Sequence, residues 1–327
     1  MADEHESSSS RREFLLRTAK AGLAVAASGA LGLFLHNRKP RQPRAALTPT
    51  RRDLSVPTPA GTPEFVLVRG PSPRAITQAA IRELGGMQAF ISRQDIVLIK
   101  PNIAWDRVPQ QAANTNPEVI QTLVEMCYEA GAKEVRVTDV SCDEARRCFQ
   151  RSGIAAAAQA AGARVILPEE HRFREVALGG EVLDHWPVFV PFLEADKIIN
   201  VPIAKQHSLT RVTLALKNWY GILGGQRHRL HQRIHESLAD LATFMKPTLT
   251  LLDAVRILVR NGPQGGSLDD VRQLNLVAAS VDQVAVDAFG VTLFGYQPAD
   301  FRYLLLAESR GLGTTRFEDL KLKQVNL

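Results

Sequence analysis

The 327-residue chain is 45% hydrophobic and 23% charged, the proportions of a globular protein rather than a disordered one. Its net charge of +6 sits in the leader: residues 1–52 hold ten Lys and Arg against four acids, which leaves 30 of each sign for the rest. A near-neutral body without clustered Lys or Arg argues against a nucleic-acid surface. The three cysteines (Cys127, Cys142, Cys148) form no C-x-x-C and are too few for an iron–sulfur cluster or a cysteine-only zinc site.

Residues 1–35 combine a polar start, paired Arg11 and Arg12 followed by Phe14 and Leu15, and an apolar run from Ala21 to Leu35. This layout resembles a twin-arginine export signal. It implies passage through the twin-arginine translocation machinery and a periplasmic or outward-facing, membrane-anchored location. Fifteen apolar residues are short for a stable span. With no A-x-A cleavage box in place, residues 21–35 either leave with the signal or stay as the chain's membrane contact. Residues 36–63, with six prolines, read as a Pro/Arg-rich linker.

From Glu64 onward short apolar runs alternate with helical spacing. Strands are expected at 64–68, 95–102, 133–140 and 164–168, with helices at 74–91, 116–132 and 143–163 between them. A β-hairpin insertion turning at Gly179-Gly180 (173–191) precedes strands at 196–203, 247–255 and 275–282, and helices lie near 231–245, 282–293 and 299–309. This pattern predicts an α/β fold: a mostly parallel sheet with helices on both faces, in Rossmann-like layers. The body is 64–327, either as one domain or as two α/β halves, about 64–170 and 190–327.

In such sheets ligands lie beyond the carboxyl ends of the strands. There the sequence offers Lys100 and Asn102, Asp139, Lys205 and His207, Asp253, and Asp282. One polar residue at a strand end is usually a cap; five such places point to a site.

The stretches "VLIKPNIA", "NTNPEVIQTLVEMCYEAGAKEVRVTD", "EADKIINVPIAKQH", "VTLALKNWYGILGG", "TLLDAV…NGPQGG" and "ASVDQVAVDAFG" follow in order. Over residues 64 to 313 the chain resembles the family of domain of unknown function 362. That family is itself distantly similar to the lactate racemase type of nickel enzyme. Some members carry ferredoxin-type iron–sulfur modules; this chain lacks those cysteines, so the association does not carry over.

Lys100 and Asn102 at a strand end suit an anion or carbonyl group. Asn114 and Thr115 precede Asn116 and Pro117, a helix start whose free amides suit the same ligand. Lys205, Lys217 and Asn218 extend this substrate-binding set, with His207, Lys217 and Asp253 as the catalytic candidates. Gly221, Gly224 and Gly225 permit close ligand approach but form no phosphate loop. His228, His231 and His235, spaced three and four apart, would share one face of a helix, and His231, His235 and Asp253 are the candidate ligands of a divalent metal. Asp287 falls on an otherwise apolar helix and needs a partner; residues 261–266 read as a loop that could act as a lid. Cys127 falls on a core stripe, while Cys142 and Cys148 could pair in an oxidising compartment.

Two functions fit. One is an exported metal- or cofactor-dependent enzyme acting on a small anionic substrate. The other is a non-catalytic cofactor- or anion-binding or assembly protein of the cell envelope.

Overall fold

Strand alternation decides which side chains meet which layer of helices. The computed structural model describes residues 11–36 and 52–327. It divides into two units, Met1–Leu47 and Thr48–Leu327. In the first, a single helix, α1 (Arg11–His36), holds the expected export segment. Its Phe14, Leu15, Leu16, Leu23 and Val25 are exposed. No helix among the described residues is long and apolar enough to cross a membrane. Residues 37–51, the greater part of the expected linker, lie outside the described residues; from Arg52 the chain already pairs with Met245 and Lys246 of the second unit.

The second unit opens with β1 (Phe65–Arg69), α2 (Pro73–Glu83), β2 (Ile96–Pro101), α3 (Pro117–Glu129) and β3 (Glu134–Val137). Then come α4 (Ala145–Arg151), α5 (Ile154–Ala160) and β4 (Arg164–Val165). The single helix expected over 143–163 breaks between α4 and α5 at Gly153, whose φ of +74° suits only a residue without Cβ. A separate two-stranded hairpin, β5 (Phe173–Ala177) and β6 (His185–Phe189), stands where the glycine turn placed it.

The remainder comprises β7 (Lys197–Val201), β8 (Ile203–His207), β9 (Arg211–Thr213), α6 (Ala215–Asn218) and α7 (Ile234–Phe244). It ends with β10 (Leu249–Leu258), β11 (Val271–Ser280), α8 (Gln283–Thr292), α9 (Arg302–Ser309) and β12 (Leu322–Asn326). One ten-stranded sheet runs β12-β1-β11-β10-β7-β2-β3-β4, with β8 against β10 and β9 against β8. Only β11, antiparallel to β1 and β10, and β9, antiparallel to β8, run against the rest.

Both faces are covered, so the fold is α/β as expected. Val97, Ile99, Ile199, Leu251 and Val277 point into a core with α2, α3 and α5. Their neighbours Leu98, Ile198, Leu252 and Ala278 point into the opposite core, under α6, α7, α8 and α9. Lys100 and Asn200 continue the second set by parity, which sends a lysine and an amide beneath α6 rather than into solvent.

Two expectations fail for reasons of strand direction and length. Asp282 follows the antiparallel β11, so it lies at the opposite edge from Lys100; there it caps α8, accepting the amides of Val284 and Ala285. Asp253 does not end its strand, because β10 continues through a register shift to Leu258.

Candidate functional site

Beyond β2, β3 and β8 the chain encloses a cavity of about 520 Å³, within the range of small-molecule sites. Of the sequence candidates, Lys100, Asn102, Lys205, His207, Lys217 and Asn218 converge on it. Four of them, Lys100, Asn102, Lys205 and Asn218, are joined in one continuous hydrogen-bond network. Lys100, fully buried, donates to Asp139 Oδ1 at 2.6 Å, Pro101 O at 2.8 Å and Asn218 Oδ1 at 3.1 Å. Asn102 Nδ2 donates to the same Asn218 oxygen at 3.1 Å, and Asn102 Oδ1 accepts from Lys205 Nζ at 2.9 Å. Asn218 in turn donates to Asn200 Oδ1 at 2.8 Å. The α6 backbone that carries Lys217 and Asn218 is fixed from below: Asp287 accepts the amides of Ala215 at 2.5 Å and Leu216 at 3.1 Å. That is the partner the buried acid required, and burial still pushes its carboxyl up to about 8.

The cavity's charge is one-sided. Among the described residues Asp139 is the only acid on its wall, against Lys100, Lys205, Lys217 and Arg227, and it is committed to Lys100 at 2.6 Å. Lys205 donates to Asn102 and to Ala113 O at 2.6 Å but meets no carboxylate among the described residues; burial brings it down to about 7. Lys217 is 7% exposed, and its Nζ stands 4.5 Å from the Tyr220 ring centre with no oxygen partner among the described residues. Burial lowers it to about 8. Arg227 spends its guanidinium on the carbonyls of Val140, Ser141 and Tyr220, pinning the rim. Gly221 is required here by close approach: a Cβ would fall inside the Asp139 carboxylate and 2.6 Å from Lys100 Nζ.

His207 is held in one tautomer. Its Nδ1 accepts the amides of Leu209 at 3.1 Å and Thr210 at 3.4 Å, so its proton rests on Nε2 and the ring offers a donor, not a base. Burial, then the charges of Lys217 and Lys205, pull it down to about 2. His207, one of the catalytic candidates, therefore has no free lone pair at Nδ1 with which to take a proton.

Other candidates stand elsewhere. Thr115 braces the site from behind: its hydroxyl accepts the Asn102 amide and donates to Val201 O, both at 2.8 Å. Asn114 clamps the Trp105 backbone by accepting at 3.1 Å and donating at 2.8 Å. Neither lines the cavity. Asp253 is also off the wall; it accepts the amides of Asn116 at 2.7 Å and Val255 at 3.0 Å, and burial raises it to about 6. It ties the start of α3 to β10 rather than facing a substrate.

The metal set does not form. Residues 227–233 are a 3-10 helix and α7 begins only at Ile234, so spacings of three and four no longer put three histidines on one face. His231 turns to the cavity, 6.2 Å from the His207 ring, whereas His235 stacks on Tyr303 at 6.4 Å. Among the described residues no three His, Cys, Asp or Glu side chains are placed to hold a metal ion.

Sequence reasoning missed Cys142 and Arg227 as wall residues. All three cysteines are free, so the pairing of Cys142 with Cys148 that the sequence left open is not formed: Cys148 is buried, its thiol towards Ala104 O at 3.7 Å, while Cys142 opens onto the cavity. Its position, three residues past Asp139 in the loop after β3, was the available signal. Residues 261–266 are tied at Gly262, which donates to Gln206 Oε1 at 2.7 Å, and Pro263 sits on the cavity rim.

The model of the family described as Domain of unknown function (DUF362) matches residues 97–292. The chain belongs to the DUF362 family. The matched span runs from the strand carrying Lys100 to the helix carrying Asp287, so the whole DUF362 portion includes the network above. A relative, the thylakoid-associated protein sll1697 of Synechocystis sp., is 28% identical over 252 residues, 75% of this chain and 77% of its own. Among solved structures, the lactate racemase apoprotein from Thermoanaerobacterium thermosaccharolyticum is similar at 12% identity with a TM-score of 0.42; the likeness covers 75% of this chain and 61% of that one, less than two thirds of its length.

Proposed function

We propose that the cavity binds a small anion of the carboxylate or phosphate type and that Lys205 and Lys217 exchange protons with it. One observation carries this reading: two buried lysines face the cavity without a carboxylate partner among the described residues. A buried cation without a counter-charge is costly, and a bound anion would supply that charge. Lysines brought to about 7 and about 8 hold both protonation states near neutral pH, the condition for general acid–base work. With His231, His235 and Asp253 apart, no step of this reading runs through a metal held by them.

A non-catalytic reading has its own support. The oxygens of Asp139 and Nδ1 of His207 are already occupied by Lys100, the Ile103 amide and two loop amides, which leaves a binder's donors and few bases. The experiment that separates the two starts with thermal shift against small carboxylates and phosphates. Ligands found there are then incubated with the protein in deuterium oxide and followed by NMR. Deuterium incorporation lost in Lys205→Met supports an enzyme; stabilisation without exchange supports a binding protein. Failure of every anion to stabilise the protein overturns both.

Export belongs to the same proposal, supported by Arg11-Arg12, Phe14-Leu15 and the apolar run after them. Cell fractionation of the full chain beside an Arg11→Lys, Arg12→Lys variant tests it: retention of the variant in the cytoplasm is expected, and equal distribution refutes it.

A further inference from the structure

Cys142 is exposed and shares its cavity with Lys205, Lys217 and Arg227. Its side chain lines the same wall as both lysines. The loop that carries it is rigidly held: its own amide donates to Ala104 O at 2.9 Å, and the two preceding carbonyls grip Arg227. The independent observation is Lys217, nine-tenths buried, lining the same cavity, and without an oxygen partner among the described residues.

We propose that Cys142 is a covalent attachment site of this cavity, a thiol that the surrounding cations direct towards small electrophilic carboxylates. The proposal rests on the anion-binding reading of the cavity. The cations hold the carboxylate beside the thiol, whose deprotonated form is the one that reacts. With an α,β-unsaturated carboxylate, the thiolate sulfur bonds to the β-carbon and the alkene electron pair passes to the α-carbon. That carbon then takes up a proton equivalent to the one the thiol released. No oxidant or further reactant enters.

The other thiols do not compete. Cys127 and Cys148 are buried; burial pushes the Cys148 thiol up to about 12 and that of Cys127 higher still.

The test uses the full chain and two alkylating probes that differ in charge. Iodoacetate and iodoacetamide each form an S–C bond as iodide leaves and the thiol proton passes to solvent. Their rates at Cys142 are followed by peptide mass spectrometry. The iodoacetate-to-iodoacetamide ratio is expected to exceed that of an unfolded peptide spanning residue 142 by about tenfold or more. It should fall towards the peptide value in Lys217→Met and persist in Lys217→Arg. On the unaltered protein, malonate should lower the ratio by occupying the cations. A ratio equal to the peptide's, or one that malonate leaves unchanged, overturns the proposal. If small anions still stabilise the protein in that case, the binding reading stands and only the covalent role falls; if they do not, both fall together.

Discussion

Lys205 gives the sharpest quantitative prediction. Burial takes its pKa from an ordinary 10.5 to about 7. At about 1.4 kcal/mol per pH unit, holding it charged in the folded state costs on the order of 5 kcal/mol, an upper figure because water and local relaxation reduce it. The sign follows from proton counting. Below pH 7 both folded and unfolded chains carry the proton, so the folded state bears the full cost. Between about 7 and 10.5 the unfolded chain binds more protons, so stability rises with pH; above 10.5 neither is charged and the cost is gone. Asp253 and Asp287, raised to about 6 and about 8, act in the opposite sense: their stability contribution declines as pH climbs from the ordinary carboxylate range to those values. Comparison with Lys205→Met removes both, since they are common to the two proteins. The variant also leaves Asn102 Oδ1 and Ala113 O without their donor, a penalty that does not change with pH. Urea denaturation from about pH 6 to about pH 10.5 should therefore show the stability difference moving steadily in the wild type's favour by several kcal/mol. A difference that changes by less than about 1 kcal/mol over that interval would refute the account of Lys205 as a buried cation without a carboxylate.

Further outcomes follow from the same network. Asp139→Ala strands the fully buried Lys100 and should cost about 3–5 kcal/mol in chemical denaturation; a loss below about 1 kcal/mol would mean the pair is wet. Gly221→Ala drives a methyl into the Asp139 carboxylate and should cost about 1–3 kcal/mol as overpacking, with anion-induced stabilisation weakened as well; wild-type melting with intact anion response contradicts the close approach. Anion affinity, by isothermal titration, should decline as pH rises through about 7 and about 8, where Lys205 and then Lys217 lose their protons. Affinity independent of pH from 6 to 10 would remove both lysines from the site.

The sheet was legible because burial on both faces writes long apolar runs with turn signals between them, as at Ile96–Pro101 and Lys197–Val201. The site was legible where one rule applied: polar residues beyond the carboxyl ends of parallel strands. That rule picked out Lys100 and Asn102 at the end of β2, and they meet Lys205, Lys217 and Asn218 there. It misplaced Asp282 because a single sequence does not encode strand direction, and β11 runs the other way. Asp253 misled because the end of an apolar run is not the end of a strand; β10 continues past it through a bulge, whose freed amide at Val255 is one that Asp253 accepts. The histidines misled because spacing implies a shared face only for a given helix type, and residues 227–233 wind as a 3-10 helix. Cys142 lies in a loop and Arg227 at the first position of the 3-10 segment, neither on a readable apolar stripe. Their role depends on which loops come together at one sheet edge, and that is set by contacts far apart in sequence, such as Val140 N–H to Gly221 O at 2.8 Å. The legible residues are thus those placed by a strand or by the helix that follows it, while Cys142 and Arg227 reach the same wall through contacts that no local pattern records.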